Sequence, residues 1–159
     1  MSESSPSTDA APTTRPNRPA VVGPRATADA VVPSIAGTWS QSFPATPDEV
    51  RGARHFLRRL LGDWPRGDDA LACLSELASN SVLHSNSRRP GGYFAVHVSL
   101  WPWMLRVAVE DEGGPWSHPH GGDDQRGRGL VIVEGLASDW SVIGNGAGSR
   151  TVWFEISHP

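Results

Sequence analysis

The stretch Cys73-Leu74-Ser75-Glu76-Leu77-Ala78-Ser79-Asn80-Ser81-Val82-Leu83-His84 decides the reading of this chain. At about 100° per residue, Leu71, Leu74, Ala78 and Val82 share one face, which predicts a helix laid on an apolar core. Glu76, Asn80 and His84 form a separate stripe, each one turn beyond the last. A carboxylate and a carboxamide on neighbouring turns present two oxygen groups side by side. The carboxamide oxygen suits a hard cation such as Mg²⁺, and the carboxylate can orient or deprotonate a hydroxyl or a water. A lone Glu–Asn pair is ordinarily a solvated face. Here the stripe sits in an otherwise apolar helix, and glycine-rich segments follow it.

Working outward, this helix is expected to begin at Asp68 or Asp69 and to run to about Ser85. Before it, Thr46-Pro47-Asp48-Glu49 signals a helix start, with Thr46 as cap, Pro47 in the first position and Glu49 closing a capping box. Val50, Ala53, Leu57, Leu60 and Leu61 recur at helical spacing, and Arg51, Arg54, Arg58 and Arg59 take the other side, read as a solvated face. Gly37 to Phe43 reads as an edge strand. After the second helix, Tyr93–Leu100 and Met104–Glu110 alternate and are joined at Trp101-Pro102, which predicts an antiparallel hairpin. Leu130–Ala137 reads as a short helix, and Trp140–Ile143 with Arg150–Ile156 as a final hairpin. The fold class is α+β, helices layered on a mixed, mostly antiparallel sheet.

Leu105, Val107, Val109 and Asp111 share strand parity, so the buried face ends in a carboxylate. A buried Asp needs a partner. The exocyclic amine of adenine would serve, and Gly113-Gly114 lets a flat ring approach; an ordinary strand-end turn is an equal alternative. Residues 112–129 form a long Gly/Pro/His/Asp-rich loop of a length that usually carries function. Gly127-Arg128-Gly129-Leu130 then opens a helix, where free N–H groups suit phosphate. Arg128 there is either a phosphate contact or a solvated loop residue.

Composition narrows the chemistry. All 14 basic residues are Arg and none is Lys, which excludes a Walker-type P-loop and a lysine nucleophile. The formal net charge of −3 argues against a nucleic-acid partner, and no apolar run is long enough to span a membrane. The single Cys73 supports neither a disulfide framework nor a zinc site, and its apolar helix marks it as inert packing. His118, His120, Asp123 and Asp124 lack metal-site spacing. Residues 1–36 carry no aromatic residue and read as a disordered tail, with the folded domain over 37–159. No apolar signal segment opens the chain, so a cytoplasmic protein is expected.

Taken in order, these motifs resemble the GHKL (histidine-kinase-like) ATPase superfamily: Glu76 and Asn80 on a helix, Asp111-Glu112-Gly113 at a strand end, Gly127-Arg128-Gly129 at a helix start, and Thr151 on a late strand. The likeness covers about residues 37–157, and within it the segments LSELASNSVLHS and GRGLVIVEGLASDW are most similar to RsbW/SpoIIAB-type anti-sigma factor serine kinases of actinobacteria. The resemblance implies the Bergerat two-layer sandwich and binding of ATP with Mg²⁺. It assigns Asn80 to the metal, Asp111 and Gly113 to adenine, the backbone of Gly127, Arg128, Gly129 and Leu130 to phosphates, and Glu76 to catalysis. It further implies γ-phosphoryl transfer to a Ser/Thr of an anti-sigma antagonist, binding of a sigma factor, and a homodimer. A nucleotide-responsive binding module with little or no transfer fits the same residues. His84 is either a phosphate-side group or a structural histidine. Pro115 stands where the family has a second glycine, Ser149-Arg150 precede Thr151, and the face Thr151 takes is left open by parity.

Overall fold

The computed structural model describes residues 36–114, 128–144 and 148–159. Eight elements follow one another in this part of the chain. They are β1 (Gly37–Pro44), α1 (Pro47–Leu61), α2 (Gly67–His84), β2 (Tyr93–Trp101), β3 (Met104–Asp111), α3 (Arg128–Leu136), β4 (Asp139–Ile143) and β5 (Arg150–Ser157), with a 3-10 turn at Asn86–Arg88 between α2 and β2. The strands form one sheet in the order β1-β2-β3-β5-β4, and every pairing in it is antiparallel. Expected and observed elements agree to within a residue or two. Among the described residues no helix is long and apolar enough to cross a membrane.

The helices cover one face of the sheet. Alternation turns Phe94, Val96, Val98 and Leu100 of β2, Leu105, Val107 and Val109 of β3, and Val152, Phe154 and Ile156 of β5 toward them, and all are buried. Ala53, Leu57 and Leu61 of α1 and Leu71, Leu74, Ala78 and Val82 of α2 close the same core. The opposite face is polar and half-exposed: Arg106 lies 3.9 Å over the Trp153 ring and 3.3 Å from Glu155, while His97 bridges Ser40 and Glu110.

Two helix starts depart from the sequence expectation. Thr46 is extended at the N-cap of α1, yet its side chain makes no capping bond, so the expected capping box is not formed. The Thr46 carbonyl accepts the Glu49 N–H instead, at 3.0 Å. At α2 the N-cap is Arg66 rather than an Asp, in the left-handed region at φ 63°. Three acceptors hold it there: Asp69 Oδ2 at 2.9 Å, the Leu136 carbonyl at 2.7 Å and the Ser157 carbonyl at 3.2 Å. Tertiary bonds to α3 and β5 thus outweigh the local preference of a non-glycine residue. The aspartates still occupy the first turn of α2, where the helix dipole favours them.

Candidate functional site

Glu76 and Asn80 project from α2 one turn apart, both half-buried. Neighbouring positions Leu77, Ala78, Ser81 and Val82 are buried, which fixes the rotation of the helix and so the direction of the stripe. Among the described residues no hydrogen bond or ion pair engages either the Glu76 carboxylate or the Asn80 carboxamide. Helix α3 packs on α2, and its start meets the stripe. A Cβ placed on Gly129 would sit 2.6 Å from Glu76 Oε2 and 3.4 Å from Glu76 Cβ, so the absent side chain at 129 is what admits the carboxylate. The first N–H groups of α3, including those of Gly129 and Leu130, have no partner within their own helix. Leu130 itself is 7% exposed and its side chain packs into the core.

The second cluster lies where β3 ends. Asp111 and Arg150 are cross-strand neighbours in the β3–β5 register, both on the helix-covered face. They are the two charged residues of that face among the described strands, and they are 4% and 2% exposed. Asp111 Oδ2 accepts from Arg150 Nη2 at 2.7 Å and from Ser81 Oγ of α2 at 2.9 Å, and Oδ1 accepts the Gly113 N–H at 2.9 Å. The partner that a buried Asp requires is therefore present within the chain, where the sequence suggested a ligand amine. Beyond it the backbone swings through Gly113 at φ 70° and Gly114 at φ 110°, a conformation a side chain would strain. The 3-10 turn latches this exit: the Asn86 N–H donates to the Gly113 carbonyl at 2.8 Å, and the Glu112 N–H donates to Ser87 Oγ at 2.9 Å.

The remaining predicted residues divide. His84 ends α2 exposed to solvent. Thr151 pairs with Glu110 and points to the open face of the sheet, away from Asp111. Gly127 lies outside the described residues, as does most of the 112–129 loop, and of Arg128 only the helical backbone is described. Arg150 and Ser81 were missed in the sequence. The available signal was parity: Arg150 begins the buried series 150, 152, 154, 156, so it had to be paired or costly. On α2, Cys73 is fully buried, and burial, with a smaller contribution from Asp69, pushes its thiol up to about 11.

The stripe's oxygen donors fit a divalent cation that is completed by ligand phosphates and water. Among the described residues no cluster of three His, Cys, Asp or Glu side chains holds a metal alone.

The sequence profile of the Histidine kinase-like ATPase domain family matches residues 43–156. The chain belongs to that family. Among solved structures, it is similar to a chain described as the RsbU and RsbW domains of Rv1364c from Mycobacterium tuberculosis, at 22% identity and a TM-score of 0.58. The match covers 75% of this chain and 31% of that one, so this chain corresponds to under a third of its length. No curated protein matches in sequence.

Proposed function

We propose that this chain binds Mg-ATP and acts in the cytoplasm as a regulator of the anti-sigma factor kinase kind. In that role it transfers the γ-phosphoryl group to a Ser or Thr hydroxyl of an antagonist protein and binds a sigma factor. The observation that carries the reading is the meeting of Glu76 with Gly129. It brings an uncommitted carboxylate to the start of α3, one turn from the Asn80 carboxamide. Family membership supplies the ATP, and the absence of Lys leaves backbone amides and a cation to hold its phosphates.

The chemistry follows from these positions. Backbone N–H groups of 129 and 130 would hold the phosphate chain, and the Asn80 oxygen would hold the metal. Mg²⁺, when bound, neutralises charge on the phosphate oxygens. Glu76 accepts the proton of the attacking hydroxyl as its oxygen bonds to the γ-phosphorus. The bond from that phosphorus to the bridging oxygen breaks, and ADP leaves. In this reading Asp111, beside the Gly113–Gly114 turn, would be at the base end of the site.

A second reading, a nucleotide-responsive binding module with little or no transfer, uses the same residues. Transfer of labelled phosphate to a co-encoded antagonist protein separates the two. The kinase reading expects incorporation that falls by about 100-fold or more in Glu76→Gln, with ATP binding retained. ATP binding without transfer to any cognate partner leaves the module reading.

A further inference from the structure

The two edges of the sheet are unlike each other. On one side it ends with β4, five residues long and opening on Asp139. On the other it ends with the eight residues of β1, paired to β2 in one unbroken register. An open strand edge is a row of unpaired N–H and C=O groups, which proteins blunt with short length, charge, proline or a bulge. β4 has the first two of these devices. β1 has no charged residue and no bulge, and its proline comes only at the last position. Among the described residues no strand pairs with its outer side, and Ser40, Gln41 and Ser42 are exposed in succession.

Beside this edge a cavity of about 400 Å³ lies between β1 and α1. Phe43 and Phe56 give it an aromatic wall, with their rings edge to face and 6.1 Å apart. His55 and Arg59 line it further along α1. Glu49 is the one carboxylate of the lining, ten residues and about 15 Å along the helix from Arg59. On α1 the side chains of Arg51, His55, Arg58 and Arg59 are exposed, and among the described residues none of them makes a hydrogen bond or an ion pair.

These cations decide what fits. Pairing of β1 with β1 of a second copy about a two-fold would set both α1 helices on the same side of one continuous sheet, cation against cation. β1 itself has no carboxylate to meet them. We propose that β1 is a docking edge for an extended acidic segment of a partner protein, which adds beside β1 as a further strand. Main-chain hydrogen bonds to the β1 edge hold the segment, and its alternate side chains enter the cavity. Phe43 and Phe56 receive an apolar side chain, and Arg59 pairs with a carboxylate. The proposal does not rest on the nucleotide reading.

Fluorescence anisotropy of the full-length protein with the labelled peptide acetyl-Thr-Glu-Thr-Phe-Thr-Glu-Thr-amide tests it, since that peptide offers Glu, Phe and Glu at alternate positions. It should bind with a dissociation constant below about 1 mM, and about tenfold or more tighter than the same peptide with Lys in place of Glu. Arg59 is exposed, so Arg59→Glu keeps the fold and should weaken the acidic peptide by about tenfold or more. The acidic peptide with its backbone amides methylated cannot donate to the edge and should not bind. Equal binding of the methylated peptide would mark attraction by charge alone, as for any polyanion, and overturns the proposal. No binding of the acidic peptide, equal binding of the Lys peptide, or binding unchanged in Arg59→Glu also overturns it. Self-association of the wild type without peptide binding assigns the edge to a second copy and overturns it as well.

Discussion

Replacing Asp111 by Ala tests how the end of β3 is held. The carboxylate is 4% exposed and is the acceptor for Arg150 at 2.7 Å, Ser81 at 2.9 Å and the Gly113 N–H at 2.9 Å. Its removal leaves a buried guanidinium, a buried hydroxyl and a buried amide facing a gap. Breaking one side of a buried ion pair costs about 3–5 kcal/mol, because the surviving guanidinium loses its carboxylate. For a folded part of this size each kcal/mol moves the melting temperature by roughly 3–6 °C, so a fall of about 9–30 °C is expected. The double variant Asp111→Leu/Arg150→Met replaces both charges with apolar volume and should regain most of that loss. Urea unfolding followed by Trp fluorescence reads both, as a shift in midpoint at unchanged slope. An Asp111→Ala variant within about 1 kcal/mol of wild type would refute the account, as would a double variant no better than the single.

Gly129→Ala should separate stability from activity. The new Cβ would stand 2.6 Å from Glu76 Oε2, the mobile end of a long side chain, so the carboxylate yields by under about 1 Å while the helix gains from the replacement of Gly. Melting should change little, and phosphotransfer should fall by about 10- to 100-fold, as misplacement of a reacting group does; retained transfer would separate Glu76 from the chemistry. Cys73 should resist alkylation at pH 8 in the native protein and react once unfolded, because its thiol is buried and raised to about 11. Since the folded value lies above the unfolded one, this group's contribution to stability is complete below about pH 9 and is lost as pH rises through about 11.

Periodicity made most of this architecture legible. The α2 stripe could be read because Leu71, Leu74, Ala78 and Val82 fix which side of the helix is buried, and that leaves Glu76 and Asn80 their own direction. The hairpins could be read because alternation in β2 and β3 turns only one face inward. The partner of Asp111 could not be read so directly. It comes from a strand 39 residues away, and the β3–β5 register that sets Asp111 against Arg150 is a tertiary fact. The same register turns Thr151 toward the open face. The aspartates before α2 misled for a related reason: local capping propensity is worth about 1 kcal/mol, and Arg66's two tertiary acceptors, with the local one on Asp69, exceed that.

The central claim is that the Glu76–Asn80 stripe and the start of α3 form an Mg-ATP site. Thermal unfolding of the full-length protein with and without Mg-ATP tests it most directly, beside Asn80→Ala as control. A ligand at about 100 times its dissociation constant stabilises the folded state by roughly 2.7 kcal/mol. Millimolar Mg-ATP should therefore raise the wild-type melting temperature by several degrees, and Asn80→Ala should lose most of the rise while melting normally alone. No rise at millimolar Mg-ATP, or an equal rise in Asn80→Ala, would contradict the account.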